Sequence, residues 1–240
     1  MSRQVIWLFG RGLSIGCGLT WDVPEDWLGL ERCEKVEKIR NALRTEMDAA
    51  HVCTSGIRSF LDFLAQRTTG GWRHLFLTTN WDFLLQREIL SFVPDRILPT
   101  WLSNSHVFHI NGTVEDPPGH SFRSPFLLTE DYESQRSGST EANIAFNKMI
   151  CESTFVVIGM SFECAIDRFL LRHLNKVEDD LPIGESQWVV VNPDADILAI
   201  VAKRLQTALP CATISPVCRT LDQWREEGFG ELTSMGVFAG

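Results

Sequence analysis

VIWLFGRGLSIGCG, residues 5–18, drives five apolar residues into a turn carrying four glycines, and its reading decides the fold. Val5–Phe9 offers no polar position, as expected of a strand covered on both faces. A buried strand that stops on glycines reads as the first β-to-α turn of a layered sheet. Glycine lets the chain reverse tightly and lets another backbone come close. Outward from this turn, five further segments read as strands: HLFLTTN (74–80), HVFHING (106–112), STFVVIGMSF (153–162), SQWVVVNPD (186–194) and CATISP (211–216). Helical patterns lie between them, in IRSFLDFLAQ (57–66), FLLRHLNKV (169–177) and ADILAIVAKRLQ (195–206). This alternation predicts an α/β protein built on a parallel, doubly wound sheet of about six strands. The order of the strands is not legible at this level.

Two stretches interrupt the rhythm. Residues 20–56 hold a charged helix, ERCEKVEKIRNALRTEMDAA, and residues 113–150 are rich in Pro, Gly and Ser before an expected helix at 140–151. We read residues 1–240 as one domain in which 20–56 and 113–150 form a small, mainly helical inserted module. That module is expected beside the sheet, over the carboxyl ends of its strands. At 44% hydrophobic and 22% charged, the 240 residues have ample material for a core. A net charge of −9 and a pI near 5.2 argue against direct, broad capture of nucleic acid. Seven scattered cysteines without a CxxC argue against a zinc ribbon or a disulfide framework, so no metal site is expected. Most of these thiols are expected to be small core residues in a reducing compartment. The opening MSRQVIWLFG is too short in apolar residues for a signal segment, and no run approaches a membrane span. A cytoplasmic protein without membrane contact is the expectation.

The first turn has the spacing G-x-G-x-x-x-G-x-G, not the G-x-G-x-x-G of hydride-transfer enzymes. The acids some twenty positions on, Glu31 and Glu34, lie in the charged helix, which disfavours that chemistry. On the turn alone, a nucleotide loop and a merely structural corner stand equal. The other strand ends add weight. TTNWD (78–82), HINGT (109–113), GMSF (159–162) and VNPD (191–194) each place polar residues where an apolar run stops. Ligands of open α/β sheets bind at the carboxyl ends of strands, so four such endings point to one shared pocket.

Taken in order, GRGLSIGCG, TTNWD, HINGT, LTEDY (128–132), GMSF and VNPD resemble the Sir2-like family over nearly the whole chain. The resemblance implies a Rossmann-like domain that binds NAD and cleaves the bond between nicotinamide and ribose. It implies that Gly10, Gly12 and Ser14 line the dinucleotide pocket. Asn80 and Asp82 would hold the nicotinamide ribose and orient water, although an Asx turn is the ordinary role of such an asparagine. Gly159 and Ser161 would lie near the phosphates and adenosine ribose. Asn192 would contact the adenosine ribose, with a turn before Pro193 as the equal alternative.

Two positions depart from the family pattern. Asn111 stands where the family carries its catalytic histidine, and a neutral amide cannot accept a proton as imidazole does. His109, two residues earlier on the same face of an extended strand, could take over only if the backbone bends. Arg11 replaces the usual alanine; it reads as an anion clamp, as a plug, or as a side chain directed to solvent. Trp21, Trp27, Trp81 and Trp101 read as aromatic pocket walls or, more ordinarily, as packing. The absent cysteine pairs resemble the zinc-free bacterial branch, whose domains consume NAD in antiphage defence. The resemblance thus implies an NAD glycohydrolase releasing nicotinamide and ADP-ribose. The alternative is a catalytically weakened sensor of NAD or ADP-ribose, or a subunit of a larger complex. A protein deacylase or ADP-ribosyl transferase ranks lowest. A protein partner or a homo-oligomer is expected, because an NAD-destroying effector must be held inactive.

Overall fold

The computed structural model describes residues 3–91, 107–114, 128, 153–164, 167–168, 170–172, 174–175 and 186–239. The apolar runs become six strands: β1 (Arg3–Phe9), β2 (Trp72–Thr78), β3 (Phe108–His109), β4 (Ser153–Ile158), β5 (Gln187–Val191) and β6 (Thr213–Val217). They form one sheet in the order β3-β2-β1-β4-β5-β6 with every pairing parallel. This is the order of a Rossmann-like doubly wound sheet, and it reverses direction between β1 and β4.

Pleating sorts the side chains of β1 between two cores. Val5, Trp7 and Phe9 face one side with Phe76, Val156 and Val189; Ile6 and Leu8 face the other with Leu77, Phe155 and Trp188. On the first side α2 (Arg32–Met47), α3 (Ser55–Arg67) and α4 (Leu84–Ser91) cover the sheet, together with α6 (Leu221–Glu226) and α7 (Gly230–Ser234). α3 buries Ile57, Phe60, Leu61 and Leu64, spaced to form one helical stripe. Phe60 meets Trp7 edge-on, with ring centroids 4.8 Å apart. On the opposite side α5 (Ala195–Ala208) buries Leu198, Val201, Leu205 and Ala208. Asp194 starts this helix by accepting the N–H groups of Asp196 and Ile197.

Register determines where chemistry can sit. Phe9 pairs with both Thr78 and Ile158, Thr78 with His109, Ile158 with Val191, and Val191 with Val217. All six strands therefore end on one line. The residues that follow, from Gly10 to Cys218, form a single edge.

Several expectations are corrected. The first turn is not a loop but a short helix, α1 (Arg11–Gly16), set directly on β1. β3 closes at His109; Ile110 and Asn111 already turn, with the Gly112 N–H on the His109 carbonyl at 3.1 Å. His109 and Asn111 thus do not share the face of one extended strand. Among the described cysteines only Cys17 is buried, while Cys33, Cys53, Cys164, Cys211 and Cys218 are exposed, so most thiols are not core residues. These five lie on a helix surface or in turns, where apolar periodicity does not reach. Of the two expected inserts, α2 and a 3₁₀ turn at Glu25–Trp27 account for much of 20–56. Nearly all of 113–150, including the expected helix at 140–151, lies outside the described residues. Among the described residues no helix is long and apolar enough to cross a membrane.

Candidate functional site

The first turn meets the end of β4 at backbone distance. The Gly12 N–H donates to the Gly159 carbonyl at 2.8 Å, and the Gly10 N–H to that of Ile158 at 2.9 Å. A Cβ on Gly12 would lie 2.6 Å from the Gly159 Cα, and one on Gly159 would lie 2.7 Å from the Gly12 Cα. Gly159 also has φ +64°, a conformation that favours glycine. What approaches these glycines so closely is the neighbouring loop of the same chain. Their need for glycine is met before any ligand is invoked.

Across β1, the β2 turn supplies a directed hydrogen-bond relay. Asn80 Nδ2 donates to the Gly10 carbonyl at 3.0 Å and to Ser14 Oγ at 2.8 Å. A backbone carbonyl can only accept, so it is the amide nitrogen of Asn80 that faces it. Ser14 then donates its hydroxyl to Asp82 Oδ2 at 2.6 Å. Asp82 Oδ1 accepts the Leu84 N–H at 3.1 Å and so starts α4. Burial holds the Asp82 carboxyl above the usual carboxylate range, and the Ser14 and Leu84 donors oppose that shift. Both amide protons of Asn80 are committed. Its Oδ1 accepts nothing among the described residues, in a side chain that is only partly buried.

The other sequence-predicted residues do not join this relay. Asn111 is fully buried and donates through Nδ2 to the Thr79 carbonyl at 2.6 Å. His109 is buried, stacked on Phe83 at 6.4 Å, with Nδ1 3.4 Å from the Asn80 carbonyl. Asn192 spends Oδ1 on the Asp194 N–H at 2.9 Å, an Asx turn leading into α5. The Ser161 carbonyl takes the Arg204 guanidinium at 2.7 Å, and its hydroxyl takes the Glu163 N–H at 3.3 Å. Arg11 turns outward to Asp22 at 3.0 Å and to the Trp21 carbonyl at 3.3 Å, with its side chain 53% exposed. It ties the segment after α1 to the first turn.

Trp21 and Trp27, with centroids 6.1 Å apart, line an open groove of about 520 Å³ with Lys38, Asn41 and Thr45 of α2. Trp81 packs partly buried against the core, and Trp101 lies outside the described residues. No three His, Cys, Asp or Glu side chains among the described residues gather as a metal site would require.

Sequence reading missed Asp167, a buried carboxyl in the helical segment after β4 that burial holds above the usual carboxylate range. Its only signal is a charged residue placed among apolar ones in ECAIDRFLL, which helix amphipathicity explains equally well. A comparison with models of protein families and one with curated proteins find no match for this chain.

Proposed function

We propose that the protein hydrolyses NAD to nicotinamide and ADP-ribose, the reading implied by its resemblance to Sir2-like proteins. The observation that carries it is the relay Asn80–Ser14–Asp82 at the ends of β1 and β2, beside the point where strand order reverses, because it leaves Asn80 Oδ1 as a fixed acceptor. Breaking the nicotinamide–ribose bond leaves positive charge on the ribose carbon, to which water adds with loss of a proton. Asn80 Oδ1 would accept a hydrogen bond from that water or from a ribose hydroxyl, and the Asp82 carboxylate behind it favours the developing cation. Such a reaction relies on positioning and electrostatics more than on a strong nucleophile. On this reading the rest of the dinucleotide would lie across the strand ends marked by Gly10, Gly12, Gly159, Ser161 and Asn192. NAD depletion in antiphage defence, within the cytoplasm and under control of a protein partner or self-assembly, is the biological role this reading carries.

One observation favours a second reading. Asn111 offers no imidazole and is fully buried, with its amide bound to Thr79. A module that senses NAD or ADP-ribose without turning it over would have that character. Purified protein incubated with NAD, with nicotinamide followed by chromatography, separates the two. For a hydrolase, Asn80→Ala should lower kcat by about 10²-fold or more while dinucleotide affinity stays within about tenfold. Binding without release selects the sensor. No binding of NAD or ADP-ribose at millimolar concentration overturns both.

A further inference from the structure

Three consecutive carbonyls of the β2 turn face the chain that follows β3. The Thr79 carbonyl accepts Asn111 Nδ2 at 2.6 Å, and His109 Nδ1 stands 3.4 Å from the Asn80 carbonyl. The Trp81 carbonyl accepts the Thr113 hydroxyl at 3.1 Å and the Val114 N–H at 2.9 Å. A carbonyl oxygen has two lone pairs, so it takes both donors at once. These carbonyls belong to the turn from which Asn80 and Asp82 reach Ser14.

The donors are themselves fixed. Gly112, left-handed at φ 76°, turns the chain between Asn111 and Thr113. His109 stacks on Phe83, and Arg44 of α2 donates to the Val114 carbonyl at 2.7 Å. Asn111, Thr113 and Val114 are all buried, so water does not compete for these bonds. Because a peptide is planar, a held carbonyl also sets the N–H that follows it. Asn111 thus sets the Asn80 N–H, which lies on Thr78 Oγ1 at 3.1 Å, and Thr113 sets the peptide leading into Asp82.

We propose that Thr113 is a positioning residue of the candidate site: with the Val114 N–H it holds the Trp81 carbonyl, and so fixes the stretch of backbone that keeps Asn80 and Asp82 both on Ser14. The catalytic consequence rests on the hydrolase reading above; the structural one does not. Thr113→Val keeps the shape, removes the hydroxyl and leaves the Trp81 carbonyl with one of its two donors. Thr113→Ser keeps the hydroxyl.

The test reads the ligand-free protein first, by NMR of ¹³C,¹⁵N-labelled protein. The Trp81 carbonyl ¹³C resonance should move upfield in Thr113→Val, as a donor is lost, and stay near its wild-type place in Thr113→Ser. The Asn80 side-chain amide, held by Gly10 and Ser14, should exchange with solvent about tenfold faster or more in Thr113→Val and at the wild-type rate in Thr113→Ser. An unmoved Trp81 carbonyl, an unchanged Asn80 exchange rate in Thr113→Val, or a Thr113→Ser variant that behaves like Thr113→Val would overturn the proposal. Should Thr113→Val fail to fold, Thr113→Ala against Thr113→Ser decides by the same two signals, since that pair differs in the hydroxyl alone. In turnover, Thr113→Val should lower kcat for nicotinamide release about tenfold or more with KM within about threefold, and Thr113→Ser should restore it. A Thr113→Val variant that unfolds more easily yet keeps the wild-type kcat would reduce the contact to a structural one and overturn the positioning role. If the wild type releases no nicotinamide, the hydrolase reading falls and the two NMR signals still decide the clamp.

Discussion

Replacing Gly12 with alanine tests whether the first turn is glycine-rich for its own packing. The added Cβ would stand 2.6 Å from the Gly159 Cα and 3.0 Å from the Gly159 carbonyl oxygen, both backbone atoms with no rotamer to escape by. Ordinary carbon contacts lie at about 3.5–4.0 Å, so α1 must withdraw from β4 by roughly 1 Å. That withdrawal stretches the 2.8 Å bond from the Gly12 N–H to the Gly159 carbonyl beyond hydrogen-bonding range. The lost bond costs about 1 kcal/mol and the strain about 1–3 kcal/mol, offset by about 1 kcal/mol for alanine over glycine in a helix. The net loss is about 1–3 kcal/mol. At about 2–4 °C per kcal/mol for a chain of this size, Tm should fall by roughly 2–12 °C. Gly16→Ala is the control: nothing lies within 4 Å of its Cβ, so stability should hold or rise slightly. Chemical denaturation of both variants gives the comparison. If Gly12→Ala unfolds at the wild-type midpoint, the backbone-contact argument is wrong, and a glycine kept for ligand approach becomes the better account.

Two further predictions concern buried polar groups. Trp7 Nε1 donates to His74 Nδ1 at 2.9 Å, which places the ring proton on Nε2 facing Thr68 Oγ1 at 2.8 Å. Burial lowers the His74 pKa to about 3, so its ring resonances should not titrate between about pH 5 and 8; a midpoint near 6.5 would refute this. Because the unfolded chain binds this proton more readily, the His74 contribution is full above about pH 6.5. It is lost toward pH 3 at up to about 1.4 kcal/mol per pH unit. Asp82 and Asp167, both raised by burial, act in the opposite sense: their contribution is full at low pH and fades as pH rises through their folded values. Gln86 is fully buried on α4, and neither polar atom of its amide has a hydrogen-bond partner among the described residues. Gln86→Met keeps the length and removes that penalty, so denaturant unfolding should show a gain of about 1–3 kcal/mol. A destabilised variant would mean that the amide is satisfied by bound water.

The strands were legible because a doubly covered sheet needs uninterrupted apolar runs, and WLF, FVVI and WVVV admit no other simple burial. Strand order was not, since it depends on which crossovers pack on which face, and single runs carry no trace of that. β3 was overextended for a related reason. HVFHING has the composition of a strand, but only Phe108 and His109 find partners on β2 before the chain turns through Asn111. α1 and α4 escaped notice because six and eight residues give too few turns for a periodic pattern. The exposed cysteines failed in another way: hydrophobicity predicts burial on average, and a thiol in a turn is placed by neighbours that sequence does not list.

For the site, residue type proved a better guide than residue role. TTNWD was selected because amide and carboxyl side chains cluster at a strand end, and Asn80 and Asp82 do converge there with Ser14. Nothing in those letters says that Ser14 would stand between them, since that depends on α1 beginning immediately after Gly10. VNPD was selected by the same rule, yet Asn192 turns its oxygen to Asp194 and prepares α5. The two cases differ in what surrounds them. Asn80 lies beside the reversal in strand order, where β1 and β4 send their helices to opposite faces, and its amide is locked by groups from another element. Asn192 is satisfied by its own chain two residues on. An asparagine held across elements with its oxygen left to accept is the one that the proposed hydrolysis would use; one closed on its own turn serves first to start the helix that follows.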